Sequence, residues 1–444
     1  MKKLSFFAFL LMPFYAFGAI ENCATLTSTP TETLNLPQII ELGLCRNPQT
    51  AASYLAYESS RYSKNAGYAN YLPSVNASTS FSSNYRNSEW DHPSWGGASL
   101  SASYLIFDFG KRLSDQKQLI YAWQAAGFDY DENVQNYIYS LIGSYYSLLN
   151  ADADVKSAEK LLSVAKTARD MATKKFNAGS VAKADVLKAD TTLASRELDL
   201  ERTKNNREIA KGKLLTQLSF SADDELSIAD LPAEIGTPGD TKSLDELFEL
   251  AQKQRPDLLR ASANKDSAWH RRNSAFLKNL PSISASGRIS WHDDSNQTQG
   301  NFGASIGISA SMPIFAGFAN MYGIKSAQAN YERAIESERN TNDSASLDVF
   351  TAYQNYKTAQ KVLNQTETLL KSATESERVT SGMYKVGRAT MLDWQTAQSE
   401  LLDAQKQHNA ARYDLFTKRA AVALSIGDIK AEIEKEENNG KESE

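Results

Sequence analysis

Histidine and cysteine, the side chains most often used for acid–base and nucleophilic chemistry near neutral pH, are few in this sequence, with four and two copies. Its four histidines are scattered, and none has a partner at the spacing of a metal site or a catalytic triad. No glycine-rich loop of the kind that cradles phosphate is present. We therefore predict no enzyme activity, no bound metal and no cofactor, so any process that needs energy must draw it from a partner. The histidines are His92, His270, His292 and His408.

The amino terminus has the pattern of a secretory signal peptide. Two lysines precede an apolar run from Leu4 to Phe17, and small residues follow up to Ala19. The alternative, an amino-terminal membrane anchor, needs about 20 apolar residues, and Glu21 ends this run too early. We predict a signal peptide at 1–19 and export of the mature chain.

Two cysteines, Cys23 and Cys45, lie near the mature amino terminus. An exported chain enters an oxidising compartment, which favours a disulfide between them. Two unpaired thiols are the alternative. Neither cysteine has histidines at ligand spacing, and Cys23 does not directly follow the predicted cleavage site, so metal binding and lipidation are both disfavoured.

The composition indicates a folded protein that does not bind nucleic acid. The 444 residues are 41% hydrophobic, enough to bury a substantial core. With 48 Lys and Arg against 53 Asp and Glu, the net charge is -5 and no basic block stands out. After the signal, no apolar run approaches the length of a membrane-spanning helix. The exported chain is therefore expected to be periplasmic, extracellular or built into the outer membrane through strands.

The chain contains one unit twice. A shift of 208 residues places Pro48 on Pro256 and Gly179 on Gly387, and it continues without insertion through many other identities. Gap-free register of this kind predicts one repeated structural unit. The predicted segments after the signal are an amino-terminal extension at 20–35, a first repeat at 36–219, a connector at 220–243, a second repeat at 244–427 and a flexible tail at 428–444.

Each repeat is predicted to contain a long helical hairpin. Proline is absent between Pro93 and Pro232 and after Pro313, and apolar residues in those stretches step by three and four, which is coiled-coil spacing. The pattern breaks near Gly179 and Gly387, glycines of the kind that end a helix in a left-handed conformation. The predicted hairpins span about 111–218 with a tip at about 177–184, and about 318–426 with a tip at about 385–391.

Before each long helix the periodicity switches to two. Val75 and Ala77 alternate with Asn and Ser in the first repeat, as Ile283 and Ile289 do with Ser and Arg in the second. An apolar face opposite a Ser-rich face, in strands of about ten residues, is typical of outer-membrane barrel strands with lipid on one side and water on the other. The predicted strands lie at about 73–87, 97–109, 281–292 and 301–314.

Four strands cannot close a membrane barrel alone. An open sheet edge in hydrocarbon leaves unpaired backbone groups that each cost several kcal/mol, and a channel needs more than the eight strands that side chains fill. We predict a homotrimer with a twelve-stranded barrel, to which each chain gives four strands. The predicted fold class is mainly α with a transmembrane β-barrel contribution, in two tandem repeats that each join a β-hairpin to a long helical hairpin and together form a periplasmic α-barrel.

Several motifs together resemble the TolC-type family of outer-membrane efflux and export proteins. They are the 208-residue repeat, the Leu-Pro-Ser start of each strand pair, the Ile-Phe pairs at 106–107 and 314–315, and the two glycine-centred tips. The resemblance covers about 36–427. It implies a passive duct in the outer membrane of a Gram-negative bacterium that extends into the periplasm. The implied partners are outer-membrane lipid, a periplasmic adaptor and an inner-membrane ABC or proton-driven pump.

The resemblance also implies that the tips form a gate. Asp185 and Tyr384 would make a gating contact, and Asp393 would supply an acidic ring. Ala389 stands where the family often has an Arg, so the lock would be weaker or differently made. The alternative for the two acids is helix capping, since negative charge in a first helical turn is favoured by about 0.3–1 kcal/mol. The implied tip and gate residues are Gly179, Ala184, Asp185, Tyr384, Gly387, Ala389 and Asp393.

The sequence leaves one alternative function and two alternative kinds of cargo. A fibrous coiled coil without a pore, such as an adhesin stalk, does not need the strand alternation, which occurs four times here. The cargo of a duct can be a drug or metal, or a protein secreted by a type I system. The missing lipidation cysteine favours the type I cargo.

Overall fold

The computed structural model of the protein describes residues 33–81, 97–229, 243–292 and 301–429, and the backbone of 85–86 and 89–90. The signal peptide, Cys23 and most of the predicted extension, connector and tail lie outside these residues. Cys45 lies on the first helix, so its disulfide with Cys23 stays a prediction.

The described residues are mainly helical and include an antiparallel sheet, which confirms that part of the predicted fold class. The elements of the first half are α1 (Leu36–Arg46), α2 (Pro48–Gly67), a 3-10 turn (Tyr68–Tyr71), β1 (Ser74–Thr79), β2 (Tyr85–Arg86), β3 (Glu89–Trp90), β4 (Ala98–Phe107), α3 (Lys111–Asn177) and α4 (Lys183–Gln217). Those of the second half are α5 (Leu244–Gln254), α6 (Pro256–Leu277), β5 (Ser282–His292), β6 (Asn301–Ser311), α7 (Ala319–Lys385) and α8 (Met391–Ser425).

Four strands form one antiparallel sheet in the order β1-β4-β5-β6. Within the described part of the chain, β1 and β6 each pair with one neighbour only and are the sheet edges. One rung of the sheet runs from Asn76 to Ser101, then to Arg288 and Ser305. The short strands β2 and β3 pair separately, with Tyr85 opposite Trp90. This register puts all the serines of alternating positions on a single face.

Three strands, β1, β4 and β6, end earlier than the ranges predicted from sequence, whereas β5 ends at His292, the last residue of its predicted range. β1 stops at Thr79 rather than near 87, because its partner on β4 there is Ala98, the first residue of that strand. The left-handed backbone of Phe109, with φ 54°, follows the end of β4. β6 ends at Ser311, shortly before Pro313, which has no N–H to donate to a ladder.

Proline and capping residues explain the paired short helices at the start of each half. Asn35 caps α1 by accepting from the Gln38 backbone N at 3.0 Å, and Ser243 caps α5 in the same way from Glu246 at 3.3 Å. Pro48 then begins α2 and Pro256 begins α6. Because proline disfavours helical backbone in the preceding residue, the chain bends at both sites instead of continuing one helix.

The contacts divide the chain into two compact units, each with its own core. Among the described residues, the first comprises 33–52, 132–229, 243–255 and 345–429. There Ile39, Leu141 and Leu214 are fully buried. Gly43 allows this packing, since a Cβ at its position would lie 2.6 Å from Leu141 Cδ1. A parallel bridge between Leu34 and Ile228 joins the ends of the extension and the connector.

The second unit comprises 53–131 and 256–344 and contains the four-stranded sheet. Aromatic contacts hold its helices together: the Tyr57 ring stacks on Trp123 at 5.9 Å, and Lys64 Nζ lies 3.7 Å from the centre of the same indole. Tyr121 and His270 stack at 5.4 Å. Among the helices that the structure describes, none combines the length and apolar character needed to cross a membrane.

The junction between β4 and α3 is held by a buried ion pair. Asp108 accepts from the backbone N of Gly110 at 3.2 Å and of Arg112 at 2.8 Å, and it pairs with Arg112 Nε at 3.1 Å. Arg112 also donates to the carbonyls of Asn70 and Ile106. This network, defined here as the Asp108 clamp, fixes the left-handed turn that redirects the chain from strand to helix.

Candidate functional site

One face of the sheet exposes a broad apolar surface. Large side chains point outward at every second position, and the most exposed is Ile306 at 92%. Isolated soluble chains rarely expose an apolar patch of this extent, and such patches mark contact with a membrane or a partner. The large apolar side chains exposed on this face are Val75, Leu100, Tyr104, Ile106, Ile289, Trp291, Phe302, Ile306 and Ile308.

The opposite face of the sheet is lined by hydroxyl groups. Ser74 and Ser103 hydrogen-bond through their Oγ atoms at 2.7 Å, and Ser284 and Ser309 do so at 3.0 Å. A third pair, Ser78 and Ser99, lies at 2.8 Å. Cross-strand hydroxyl pairs suit a hydrated surface, because each oxygen still has capacity to bond water. The two faces therefore match two different solvents.

The helical tips both end in the same glycine turn. Gly179 has φ +73°, and its N–H bonds to Phe176 O at 2.8 Å while the next N–H bonds to Lys175 O at 2.9 Å. Gly387 has φ +81° and makes the equivalent bond to Tyr384 O at 3.1 Å. This pair of backbone hydrogen bonds ends a helix at a residue with left-handed backbone, a conformation that glycine adopts at the lowest cost. Both long helices therefore stop at a defined residue.

An apolar cluster joins the two tips of the chain. Tyr384 and Trp394 are each 2% exposed, and their rings lie 5.2 Å apart. Ala172 and Ala189 of the first tip pack against them, and Ala389 lies at the edge of the cluster. Because this cluster draws residues from α3, α4, α7 and α8, the two hairpins are fixed to each other at their ends. Ala184, by contrast, is exposed near the start of α4.

Tyr384 lies at the centre of this cluster with its hydroxyl unsatisfied. The hydroxyl is buried and has no hydrogen-bond partner in the described part of the chain. Burial raises the pKa of Tyr384 above its ordinary value of 10.0, and the nearby carboxylate of Asp185 raises it further. Asp185 is therefore close enough to influence the phenol, although no hydrogen bond joins the two described side chains.

Asp393 is engaged at the start of α8. Its carboxylate accepts from the backbone N of Thr390 at 2.8 Å and from the Thr390 hydroxyl at 2.7 Å, while the hydroxyl accepts from the backbone N of Asp393 at 3.2 Å. This is a reciprocal capping box. The bonds from Thr390 stabilise the carboxylate and lower the pKa of Asp393 below its ordinary 3.8. Capping therefore accounts for this acid within a single chain.

Three tip residues escaped the sequence reasoning. Trp394 donates from Nε1 to Glu377 Oε1 at 2.8 Å. Lys175 donates to the Tyr384 carbonyl, and its Nζ lies 4.3 Å from the Tyr384 ring centre. Gln395 donates to Lys188 O at 2.8 Å across the hairpins. The signal for Lys175 was present, since a basic residue in a last helical turn favours contact with free carbonyls.

No group of three or more His, Cys, Asp or Glu side chains within the described ranges is arranged to hold a metal ion. What the described sites offer is contrasting surfaces and close packing. One sheet face suits lipid, the other suits water, and the apolar cluster at the tips fixes the two hairpins to each other.

Comparison with known proteins gives a consistent picture. The model of the family described as outer membrane efflux protein matches twice, at 39–218 and 247–428. The outer membrane protein TolC of Salmonella enteritidis is 25% identical over 425 residues, covering 90% of this chain and 84% of that protein. Protein CyaE of Bordetella pertussis is 23% identical over 407 residues, covering 89% and 84%.

A solved structure shares the fold. The outer membrane protein VceC of Vibrio cholerae superposes with a TM-score of 0.78 at 19% identity, covering 88% of this chain and 96% of that one. Because the family model accounts for both halves of the sequence, the chain belongs to the outer membrane efflux protein family.

Proposed function

We propose that this chain is one subunit of a homotrimeric duct. Its strands would close a twelve-stranded barrel in the outer membrane, and its helices would form a tube that extends into the periplasm. A periplasmic adaptor and an inner-membrane pump would open it and supply the energy. Membership of the outer membrane efflux protein family supports the location and the export role.

The observation that carries this proposal is the sheet with one lipid-like face and two open edges. β1 and β6 each lack a second partner among the described strands, while Ile306, Ile308 and Phe302 on β6 are largely exposed. Unpaired edges are costly in hydrocarbon. Pairing of β6 with β1 of the next subunit would remove both edges and leave the apolar face toward lipid.

The first experiment measures assembly and conductance. The molar mass of the detergent-purified protein is measured by light scattering, and the protein is then added to a planar lipid bilayer. We expect a trimer that gives discrete conductance steps. A stable monomer, or protein recovered with the soluble periplasmic fraction, would contradict the duct.

A matched pair of variants tests which face meets lipid. Ile308 and Ser309 are adjacent, exposed and on opposite faces of β6. Ile308→Arg places a charge in lipid at a cost of about 2–4 kcal/mol per chain near the bilayer centre, so membrane-inserted trimer should be lost. Ser309→Arg places the same charge in water and should insert normally. Equal behaviour of the two variants would contradict the assignment of the faces.

We infer that the tip cluster is the resting closure of the duct. The buried, unpaired hydroxyl of Tyr384 and its proximity to Asp185 support a gating contact made in the assembled trimer. Tyr384→Phe removes only the hydroxyl. Channels with raised conductance and unchanged thermal stability are expected if the hydroxyl helps to close the passage, and unchanged conductance would exclude that role.

The acidic ring at Asp393 is separable from capping. Asp393→Asn removes the charge, whereas Thr390→Ala breaks the capping box and keeps the charge. If three Asp393 carboxylates line the passage, the first variant alone should lower the preference for cations. Equal selectivity in both variants and the wild type would leave capping as the role of Asp393.

Exposed apolar residues at the tips support docking of an adaptor. Val386 is 72% exposed beside the glycine turn, and Leu187 and Leu392 are exposed near it. Copurification of an adaptor and pump with the tagged chain should be lost with Val386→Asp. It should survive Val362→Asp, which changes an exposed valine of α7, the helix that ends just before Val386, at a position away from the tip. Loss with both variants would point to general damage.

Either small molecules or proteins secreted by a type I system fit such a duct. A deletion strain should be compared with its parent for susceptibility to drugs and metals and for proteins released to the medium. Whichever phenotype the wild-type gene restores identifies the cargo class.

A further inference from the structure

The hydroxyl-lined face of the sheet contains a single full charge. Arg288 is the only Lys, Arg, Asp or Glu in β1, β4, β5 and β6. It occupies a central position of β5, is exposed, and forms no ion pair with any residue of the described ranges. A charge that is neither buried nor neutralised on an otherwise uncharged surface calls for an explanation, because it sets the local potential.

Small polar residues surround Arg288 on all sides. Ser101 of β4 and Ser305 of β6 lie directly opposite it in register. Together with Ser103 and Ser286 they line a groove of about 360 Å³ on this face. None of these side chains is long enough to cover the guanidinium, so its donors remain open to a solute in the groove.

The chemistry of this arrangement selects anions. A guanidinium offers five N–H donors in a planar fork that matches carboxylate and phosphate groups. The flanking serine hydroxyls add neutral donors that an anionic oxygen can also use. No carboxylate competes from the four strands themselves. The groove therefore favours a negatively charged group over a cation.

The free-energy cost of placing an Arg in lipid indicates that the face bearing Arg288 is turned toward water. An Arg on the lipid side of a barrel costs about 2–4 kcal/mol near the bilayer centre, whereas the serine face suits water. Resting on the proposed trimeric duct, the same rung of Asn76, Ser101, Arg288 and Ser305 would recur three times around the lumen. Rings of Arg or Lys are the device by which pores favour anions.

We propose that Arg288 forms a cationic ring inside the strand-built part of the duct and is a binding site for the phosphate, carboxylate or sulfonate groups of passing solutes. Because the ring and the proposed gate use different residues, the ring would select cargo independently of the gate.

The test uses the full-length trimer in planar bilayers, with inorganic tripolyphosphate added to each side of the membrane in turn. Wild-type channels should be blocked reversibly. Arg288→Gln should raise the half-blocking concentration by about tenfold or more, since a charge-assisted contact is lost in each subunit. Arg288→Lys keeps the charge but loses the planar fork, so its half-blocking concentration should fall between those of the wild type and Arg288→Gln; a value above that of Arg288→Gln would contradict a role of the positive charge.

Relocation of the charge gives the matched control. Ser101→Arg combined with Arg288→Gln moves the cation to the facing strand of the same rung and should restore the block. If Arg288→Gln fails to assemble, Ser305→Glu leaves Arg288 in place beside a carboxylate and should weaken the block as well.

The outcomes separate this inference from the proposed duct. Conducting Arg288→Gln channels blocked like the wild type, or a relocated charge that restores nothing, would overturn the cationic ring alone. Wild-type protein that never conducts would overturn the duct and the ring together.

Discussion

The two helical tips share a turn but differ in how the returning helix begins. α8 starts at a capping box between Thr390 and Asp393. α4 starts at Ala182, which has no side chain to cap it. The 208-residue shift places Ala182 on Thr390 and Asp185 on Asp393, so the difference comes from one lost hydroxyl. The lesson is that equivalent acids need not have equivalent roles.

Of the two equivalent carboxylates, one takes part in a capping box and the other does not. Asp393 receives bonds from both groups of Thr390, whereas Asp185 influences the Tyr384 hydroxyl of the other tip. Within one chain, the acid of the second tip stabilises the start of α8. The first tip leaves its acid without a capping bond from residue 182, and in the proposed duct that acid is available for the gating contact with Tyr384.

Two other matched positions show the same asymmetry. The Asp108 clamp at the β4–α3 junction has no counterpart after β6, where the shift gives Ala316 and Asn320. At the far ends of the hairpins, Gly427 and Ser219 both have left-handed backbone, with φ 79° and 59°. Each pair offers a variant and a built-in control.

The largest effect is expected at the clamp. Asp108→Ala leaves Arg112 unpaired where only 12% of its side chain is exposed, which should cost about 3 kcal/mol. The position that matches Asp108 is already Ala316, so the control is Asn320→Ala, at the position that matches Arg112, and it should stay within about 0.5 kcal/mol. Thermal dissociation of the detergent-solubilised protein measures both. Equal shifts would show that the clamp adds nothing specific to the first junction.

A smaller effect is expected at the left-handed residues. In Gly427→Ala the new Cβ would lie 2.7 Å from Arg255 Cα, so we expect a loss of about 2 kcal/mol from crowding and backbone conformation. Ser219→Gly relieves a left-handed serine and should gain about 0.5–1 kcal/mol. Circular dichroism melts of the two variants check the opposite signs, and a destabilised Ser219→Gly would refute this reasoning.

The tip difference itself can be reversed by single substitutions. Thr390→Ala removes the capping box and should cost about 1 kcal/mol. Ala182→Thr gives Asp185 the hydroxyl partner that Asp393 has and should gain about 0.5–1 kcal/mol. Hydrogen exchange of the amides in the first turns of α4 and α8 would register both changes locally. Unaltered protection at the α4 start in Ala182→Thr would count against the comparison.

The smallest effect is in acid. The pKa of Asp393 is lowered in the folded protein by its Thr390 bonds, so its contribution to stability is complete above pH 3.8 and is lost as the pH falls below that value. The stability difference between wild type and Asp393→Asn should therefore narrow as the pH falls below about 4. Melting series at fixed ionic strength measure it, and a difference that widens in acid would have the wrong sign.

Regular periodicity made the larger elements readable from sequence. Strict alternation around Val75 and Ile283 indicated strands, and long stretches without proline indicated the helices that the structure places at Lys111–Asn177 and Ala319–Lys385. A Thr three residues before an Asp is also a legible capping signal. These features depend on neighbours along the chain, which a sequence displays directly.

Features that depend on distant partners were not readable. β1 ends where β4 begins its pairing, at Thr79 opposite Ala98, and nothing in the local alternation marks that point. The contact of Tyr384 and Trp394 with Ala172 joins separate halves of the chain. Similarly, Ser101, which lies opposite Arg288, comes from a strand far away in sequence.

The equal lengths of the corresponding helices have a practical consequence. α3 and α7 each contain 67 residues, and α4 and α8 each contain 35. At 1.5 Å per residue, an insertion of one heptad in a single helix would carry its end about 10 Å past its neighbours. A longer or shorter pair of hairpins therefore requires the same change of length in all four helices. The helix lengths of the two halves are thus constrained to change together.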